Sequence, residues 1–409
     1  MAVPFDADAS RQPDRVAWAD PSYRYGDYAL FVRAGHAILS GNFGGAYSDP
    51  AVQTGPLALV WAAALALVLN VLHAPGAVGF AITVVAVVAP SAYAASLWAS
   101  RHRPPRGLFV GAVGALIVLL VPWELADLLG FQHPTYLWVP ALWLFAAAAA
   151  RRDRSVVTAL LLVVACALET WAILAVPVLL LSLPSWRARF RGGAVWVVGT
   201  AAVWAPFAFS GQFRMFDMVW PASFQTPLLA LWGHPAAVTW EIRVAQGAIV
   251  VLASVGAWLV GRTATDAATV AVVVVAWTRI ATDSQWFPYY RSALFVTSAA
   301  VLLAAGARYL RTRHARTLPA LVLSGLMCPL AQSELLAIPM LASAAVHVGT
   351  LAVLVVTARQ LGASPTGRRP WNMTPDRSCV CHGAVCPPGG QLRSSARSIS
   401  SRRPTTNAS

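Results

Sequence analysis

The sequence predicts an all-α fold, a polytopic transmembrane helical bundle of about 11–12 hydrophobic segments, some of them short or broken. Three observations predict it. First, 58% of the 409 residues are hydrophobic and only 11% charged, whereas soluble domains run near one quarter charged. The mean hydropathy is +0.61. Second, the apolar residues come in blocks of about 14–22, close to what crosses a ~30 Å hydrocarbon core. An outer-membrane barrel would show alternating segments of about ten residues instead. Third, the arginines gather in short loops between the blocks, the positive-inside pattern of helical membrane proteins.

The first 55 residues form an N-terminal segment. Its opening, MAVPFDADASRQPDR, lacks a basic stretch followed by an apolar core, so no signal peptide is expected. In RYGDYALFVRAGHAILSG (24–41), Leu30, Ala34 and Ile38 recur every four residues with Phe31 beside them, while Arg33 and His36 fall off that face. The stretch is too short and too charged to span a bilayer, so it is expected to lie along the interface as an amphipathic helix. Asp27 stands at its start. Two readings stay open for it: a helix N-cap, or a general base at the membrane surface.

The transmembrane domain is assigned to residues 56–358. Its blocks fall near 56–73, 77–99, 107–126, 135–150, 155–168, 171–184, 193–210, 243–261, 265–282, 292–307, 318–335 and 338–358, with prolines 90, 122, 177, 206 and 329 interrupting several. Broken helices are tolerated where protein or a wet cavity satisfies the freed backbone groups, so the pattern fits a bundle built round a cavity. The strongest arginine clusters, RHRPPR (101–106), RRDR (151–154), RARFR (187–191) and RYLRTRHAR (308–316), are placed in the cytoplasm. The opposite face then receives FQHPT (131–135), the Glu169–Thr170 junction, the long 211–242 loop and SQWFPYY (284–290). Counting back through two full crossings puts residues 1–55 in the cytoplasm, yet 24–55 has the character of an outward loop, and that conflict stays open.

Residues 359–409 are expected to be a disordered basic cytoplasmic tail, with eight Arg against one Asp and almost no aliphatic residues. The net charge of +14 comes with no Lys at all. Because the arginines sit in interhelical loops, the charge is read as topology and a nucleic-acid partner is not expected. Cys166 and Cys328 lie in apolar segments as packing residues, and the CVCHGAVC of the tail has no zinc-finger spacing. His36, His133 and His234 are dispersed, so no metal site is proposed, and no cofactor is implied.

The order of features resembles the polytopic GT-C glycosyltransferases that use polyprenyl-phosphate sugars. It is most similar to the actinobacterial mannosyltransferase group called glycosyltransferase family 87. The residues that carry the resemblance are Asp27, the run Ala34-Gly35-His36-Ala37-Ile38-Leu39-Ser40-Gly41, Tyr47 and Pro56, and later ETWAILAVPVLLLSLPSWRAR (169–189). The resemblance implies a hexosyltransferase with a multi-pass plasma-membrane location and an active site on the extracytoplasmic face. It implies a polyprenyl-phosphate sugar donor, mannose above all, a lipid or glycan acceptor, and membrane lipids as surroundings. Asp27 would take the acceptor proton, attack at the anomeric carbon would invert configuration, and a guanidinium would hold the departing phosphate.

Candidates for that guanidinium are Arg279 and Arg291, flanking TDSQWFPYY. Asp283 lies four residues after Arg279 on one helix face, so a purely structural ion pair stands beside the phosphate-binding reading. Arg291 follows two tyrosines and fits interfacial snorkelling equally well. Glu169, at the junction of two short arms, suits a cavity wall or a helix contact, and His36 and Tyr47 complete the candidate substrate-binding set. Glu124 with Asp127 reads as a solvated helix end, and Glu334 as a possible cavity residue. Trp171, Trp220, Trp232 and Trp286 are candidates to stack on a sugar or simply members of an interfacial aromatic belt. The alternatives to a transferase are a transporter or flippase using the Arg–Asp pair, and an inactive or truncated homologue.

Overall fold

The computed structural model describes residues 27–73, 133–222, 227–261 and 267–283, with parts of 78–93 and 292–300. These residues are mostly helical, with one two-stranded ribbon, which bears out the all-α class. Among them only Trp240–Gly261 is by itself long and apolar enough to cross a membrane; five further apolar helices have 10–17 residues. The blocks beyond residue 300, those at 77–99 (in large part) and 107–126, the basic tail, Arg291, Glu124, Asp127, Trp286 and Glu334 lie outside the described residues.

The expected amphipathic helix is present as α1 (Asp27–Leu39). Its buried face is Phe31, Ala34 and Gly35, shifted slightly from the Leu30–Ala34–Ile38 stripe, because a neighbouring helix covers that side. The helix closes with Asn42 N–H donating to the Ala37 carbonyl (2.8 Å) and Gly41 N–H to that of Ile38 (3.0 Å), Gly41 taking the left-handed conformation that this ending requires. A four-residue helix α2 (Phe43–Ala46) follows, capped by Asn42 Oδ1 accepting from Gly45 N–H at 3.0 Å. Helix α3 (Pro56–Val71) starts on a proline, whose missing N–H costs nothing at that position. α1 lies across α3 at very close range: a Cβ on Gly35 would stand 2.0 Å from the Leu59 carbonyl oxygen.

Next come α4 (Thr135–Ala150) and α5 (Ser155–Leu168), packed together and joined by the RRDR turn. The block expected at 171–184 is not one helix. Glu169 is extended, Thr170–Ala175 forms a 3-10 helix, and α6 (Val176–Leu181) opens around Pro177, so the proline begins a helix rather than interrupting one. α7 (Trp186–Ala208) starts earlier than expected because Ser185 caps it, its hydroxyl accepting from Ala188 N–H at 3.2 Å. The RARFR cluster is therefore the first turns of a helix and not a loop. The 211–242 loop contains β1 (Trp220–Pro221), α8 (Pro227–Leu231) and β2 (Ala237–Val238), the strands paired antiparallel. α9 (Trp240–Gly261) and α10 (Ala267–Thr282) follow, running antiparallel, with Arg243 at the start of one meeting Asp283 after the end of the other.

Every residue of α10 from Ala267 to Ile280 is buried. It packs into a core with Val139, Trp143, Leu162, Ala172, Val178 and Val250. The outward surfaces of the helices carry Val71, Leu160, Val197, Val198, Leu252 and Leu259 exposed, while Thr54, Thr158, Glu169, Gln246, Thr278 and Arg279 are buried. The core is apolar, yet it also encloses Glu169, Arg279 and Asp283 while aliphatic side chains cover the helix exteriors; in water, buried charges and exposed aliphatic bands are both uncommon.

Residues 27–55 lie on the same side of the bundle as residues 133–135, 169 and 214–215. Asp27 meets His133, Thr54 meets Glu169, Arg214 N–H donates to the Tyr47 carbonyl, and the Gln53 amide to that of Met215. The segment thus shares a face with the pieces expected to point outward.

Candidate functional site

One end of the bundle gathers the starts of α1, α3, α4 and α9 with the ends of α5 and α10. Asp27, the first residue of α1, is half-exposed, and its Oδ2 lies 2.9 Å from Nε2 of the nearly buried His133. An ionised carboxylate only accepts, so Nε2 carries the hydrogen and donates it across the gap between α1 and α4. The imidazole is held edge-on by two rings: Phe31, one helical turn after Asp27, at 5.0 Å and 84°, and Tyr136 at 5.7 Å and 86°.

Directly behind this pair is Glu169, completely enclosed. The Thr135 hydroxyl donates to its Oε1, and the Thr54 hydroxyl lies 2.9 Å from the same oxygen and 3.0 Å from the Leu168 carbonyl. Thr54 and Glu169 also form an isolated antiparallel bridge, sealed by Gly55 N–H donating to Leu168 at 2.9 Å. Only glycine permits this approach, since a Cβ at residue 55 would stand 2.2 Å from the Ala167 carbonyl oxygen. Burial pushes the Glu169 carboxyl above its ordinary range, against the opposing pulls of His133, the two threonine hydroxyls and Arg279.

Arg279 is buried beside this cluster. Its guanidinium lies 4.3 Å from the Trp171 ring centre and 5.4 Å from that of Tyr136, with Nη2 3.4 Å from the Tyr136 hydroxyl. The anticipated partner Asp283 is 3.9 Å away, but Asp283 is held more closely by Arg243, at 2.8 Å. Arg243 also lies over Trp220 at 4.9 Å and donates to Gln246 at 3.0 Å, and Gln246 in turn donates to the Arg279 carbonyl at 3.1 Å. Among the described residues, two guanidiniums therefore share one carboxylate inside an aromatic wall.

Asp27, Glu169 and Arg279 thus converge through His133, Tyr136 and Trp171. Two other anticipated residues, Tyr47 and His36, do not join them. Tyr47 is buried among Trp204, Phe207 and Phe213, and its hydroxyl donates to the Thr54 carbonyl at 3.0 Å, so it braces the loop that presents Thr54. His36 is exposed nine residues along α1 from Asp27, about 14 Å along the axis. Of the tryptophans, Trp171 and Trp220 stand against the arginines, whereas Trp232 is exposed on the 211–242 loop. His133, Thr54, Thr135 and Arg243 escaped sequence reasoning. The only signal for His133 was its place in FQHPT, at a helix start on the outward face. Among the described residues no group of His, Cys, Asp and Glu is arranged to hold a metal.

A separate open groove of about 530 Å³ lies against α1, lined by Leu30, Arg33, Ala34, Asp49, Val52 and Arg214 among others. Its floor begins one turn beyond Asp27 along the same helix. No protein-family model, curated protein or solved structure matches this chain.

Proposed function

We propose that the protein is a multi-pass plasma-membrane glycosyltransferase of the GT-C type. It would move a sugar, mannose first among the candidates, from a polyprenyl-phosphate donor to a lipid-linked or cell-envelope glycan acceptor on the extracytoplasmic face. The observation that carries the reading is the half-exposed Asp27 carboxylate, anchored through one oxygen to His133 at the end of the bundle where Glu169 and Arg279 converge. The membrane setting is supported by the exposed aliphatic side chains on the helix exteriors, by the buried Glu169, Arg279 and Asp283, and by the apolar length of α9.

In this reading the second Asp27 oxygen takes the proton of the acceptor hydroxyl. The hydroxyl oxygen forms its bond to the anomeric carbon from the face opposite the phosphate, and the carbon–oxygen bond to the phosphate breaks, its electron pair leaving on the lipid phosphate. One base suffices because the leaving group is already a good anion, and such a base is worth about 10²–10⁴ in rate. The guanidiniums of Arg243 and Arg279 supply donors and positive charge for the phosphate, with Arg243 the more accessible of the two.

The test is transfer of radiolabelled sugar from a polyprenyl phosphate into acceptor by membranes holding the protein. Asp27→Asn should lower it by about 10²–10⁴ while leaving expression intact. Full transfer by that variant removes Asp27 from the mechanism. The buried Arg243–Asp283–Arg279 group also suits a transporter or flippase, which would instead show solute counterflow with no covalent product.

A further inference from the structure

We propose that His133 is the positioning residue of Asp27, and that Glu169 acts one step behind it by pinning the turn from which His133 projects. The proposal rests on the transferase reading for its kinetic consequence and on geometry alone for the pairing.

A carboxylate that is half in solvent turns freely about its side-chain bonds, and a general base must hold one oxygen within hydrogen-bond reach of its proton. At this site Oδ2 is occupied at 2.9 Å by an imidazole whose own orientation is fixed twice over, by Phe31 and by Tyr136, each nearly perpendicular to it. α1 delivers both the carboxylate and, one turn later, the Phe31 wall, so carboxylate and wall move together. The turn carrying the histidine is tied down two residues on, where Thr135 donates to Glu169. Glu169 is in turn clamped to the segment ahead of α3 by Thr54 and the Gly55–Leu168 bond. The result is a single line of support, from the α5 terminus through α4 to the reactive edge of α1. It leaves Oδ1 as the oxygen presented to an acceptor. Among the described residues the imidazole meets the Asp27 carboxylate and the Tyr136 ring and interacts electrostatically with Glu169, while Arg279 lies on the other side of Tyr136 and Glu169.

Two substitutions divide this role from packing. His133→Phe keeps a ring against Phe31 and Tyr136 and removes the donor; His133→Gln keeps a donor and removes the ring. Positioning predicts that the Phe variant loses about 10²-fold in kcat with the donor KM within about twofold, and that the Gln variant retains more activity than Phe. A packing role predicts the reverse order, and that order, or wild-type kcat in the Phe variant, overturns the proposal. Should the Phe variant fail to fold, the Gln variant alone decides: activity well above that of Asp27→Asn supports the role, and activity at that level overturns it. If the wild-type protein transfers no sugar, the transferase reading falls separately. Histidine-labelled ¹⁵N spectra of the intact protein then test the pairing: the imidazole signal lost in His133→Phe should move in Asp27→Ala. A signal that stays in place overturns the pairing as well.

Discussion

Glu169 is the residue whose surroundings leave it least freedom. Two hydroxyls converge on one of its oxygens; in Glu169→Ala the Thr54 hydroxyl can still donate to the Leu168 carbonyl, but the Thr135 hydroxyl is left buried without that acceptor, at about 1–3 kcal/mol. Glu169→Gln keeps an oxygen for both, and its thermal midpoint should stay near that of the wild type where the alanine variant falls by several degrees. The pH dependence follows from burial. Because the folded carboxyl sits above its ordinary range, its contribution is fully present below that range and is lost as pH rises through the elevated folded value. Thermal melts in detergent should therefore show a decline on the alkaline side of the ordinary carboxylate range that Glu169→Gln abolishes. A decline of equal size in the Gln variant would assign it to another group.

At the scale of elements, the contact of α1 with α3 is the joint that presents Asp27. Gly35→Ala forces a methyl to 2.0 Å from the Leu59 carbonyl, which only displacement of a helix relieves, so α1 should lift. Limited proteolysis within 27–55 should accelerate and sugar transfer should fall with it, whereas the same change at Gly193, with open space where its Cβ would stand, should be silent. Loss of the cap in Ser185→Ala should cost α7 about 1 kcal/mol without touching the site. Much of this level was legible in the residues. The apolar blocks at 56–73, 135–150 and 155–168 became helices close to their expected bounds, and Pro56 marked a true helix start. The 171–184 block misled because hydropathy records how apolar a stretch is and not whether its backbone turns by three or by 3.6 residues. His133 was passed over because its partner lies 106 residues away, and no local spacing announces a pair that exists only after α1 has docked. Arg243 stayed hidden for a related reason: Asp283 has a nearer sequence neighbour in Arg279, and the chain alone does not rank two suitors for one carboxylate.

For the whole molecule, one prediction concerns sidedness. Single cysteines introduced at Asp49 and Gln212 should both react with an impermeant maleimide added to intact cells, since the segments they occupy share a face, and one at Arg152 should react only after permeabilisation. Opposite behaviour of the first two would separate segments that the hydrogen bonds join. The interior location of α10 has a consequence of a different kind. α9 buries Ile242, Gln246, Val250 and Ser254 at every fourth position, with Gly261 at its end, so its far side is free to vary, while α10 has no far side from Ala267 to Ile280. A saturation scan should trace a wave of tolerance along the first helix and a flat floor along the second. Drift in its valines and alanines is then restricted to exchanges of nearly equal volume, because crowding arrives from every direction at once.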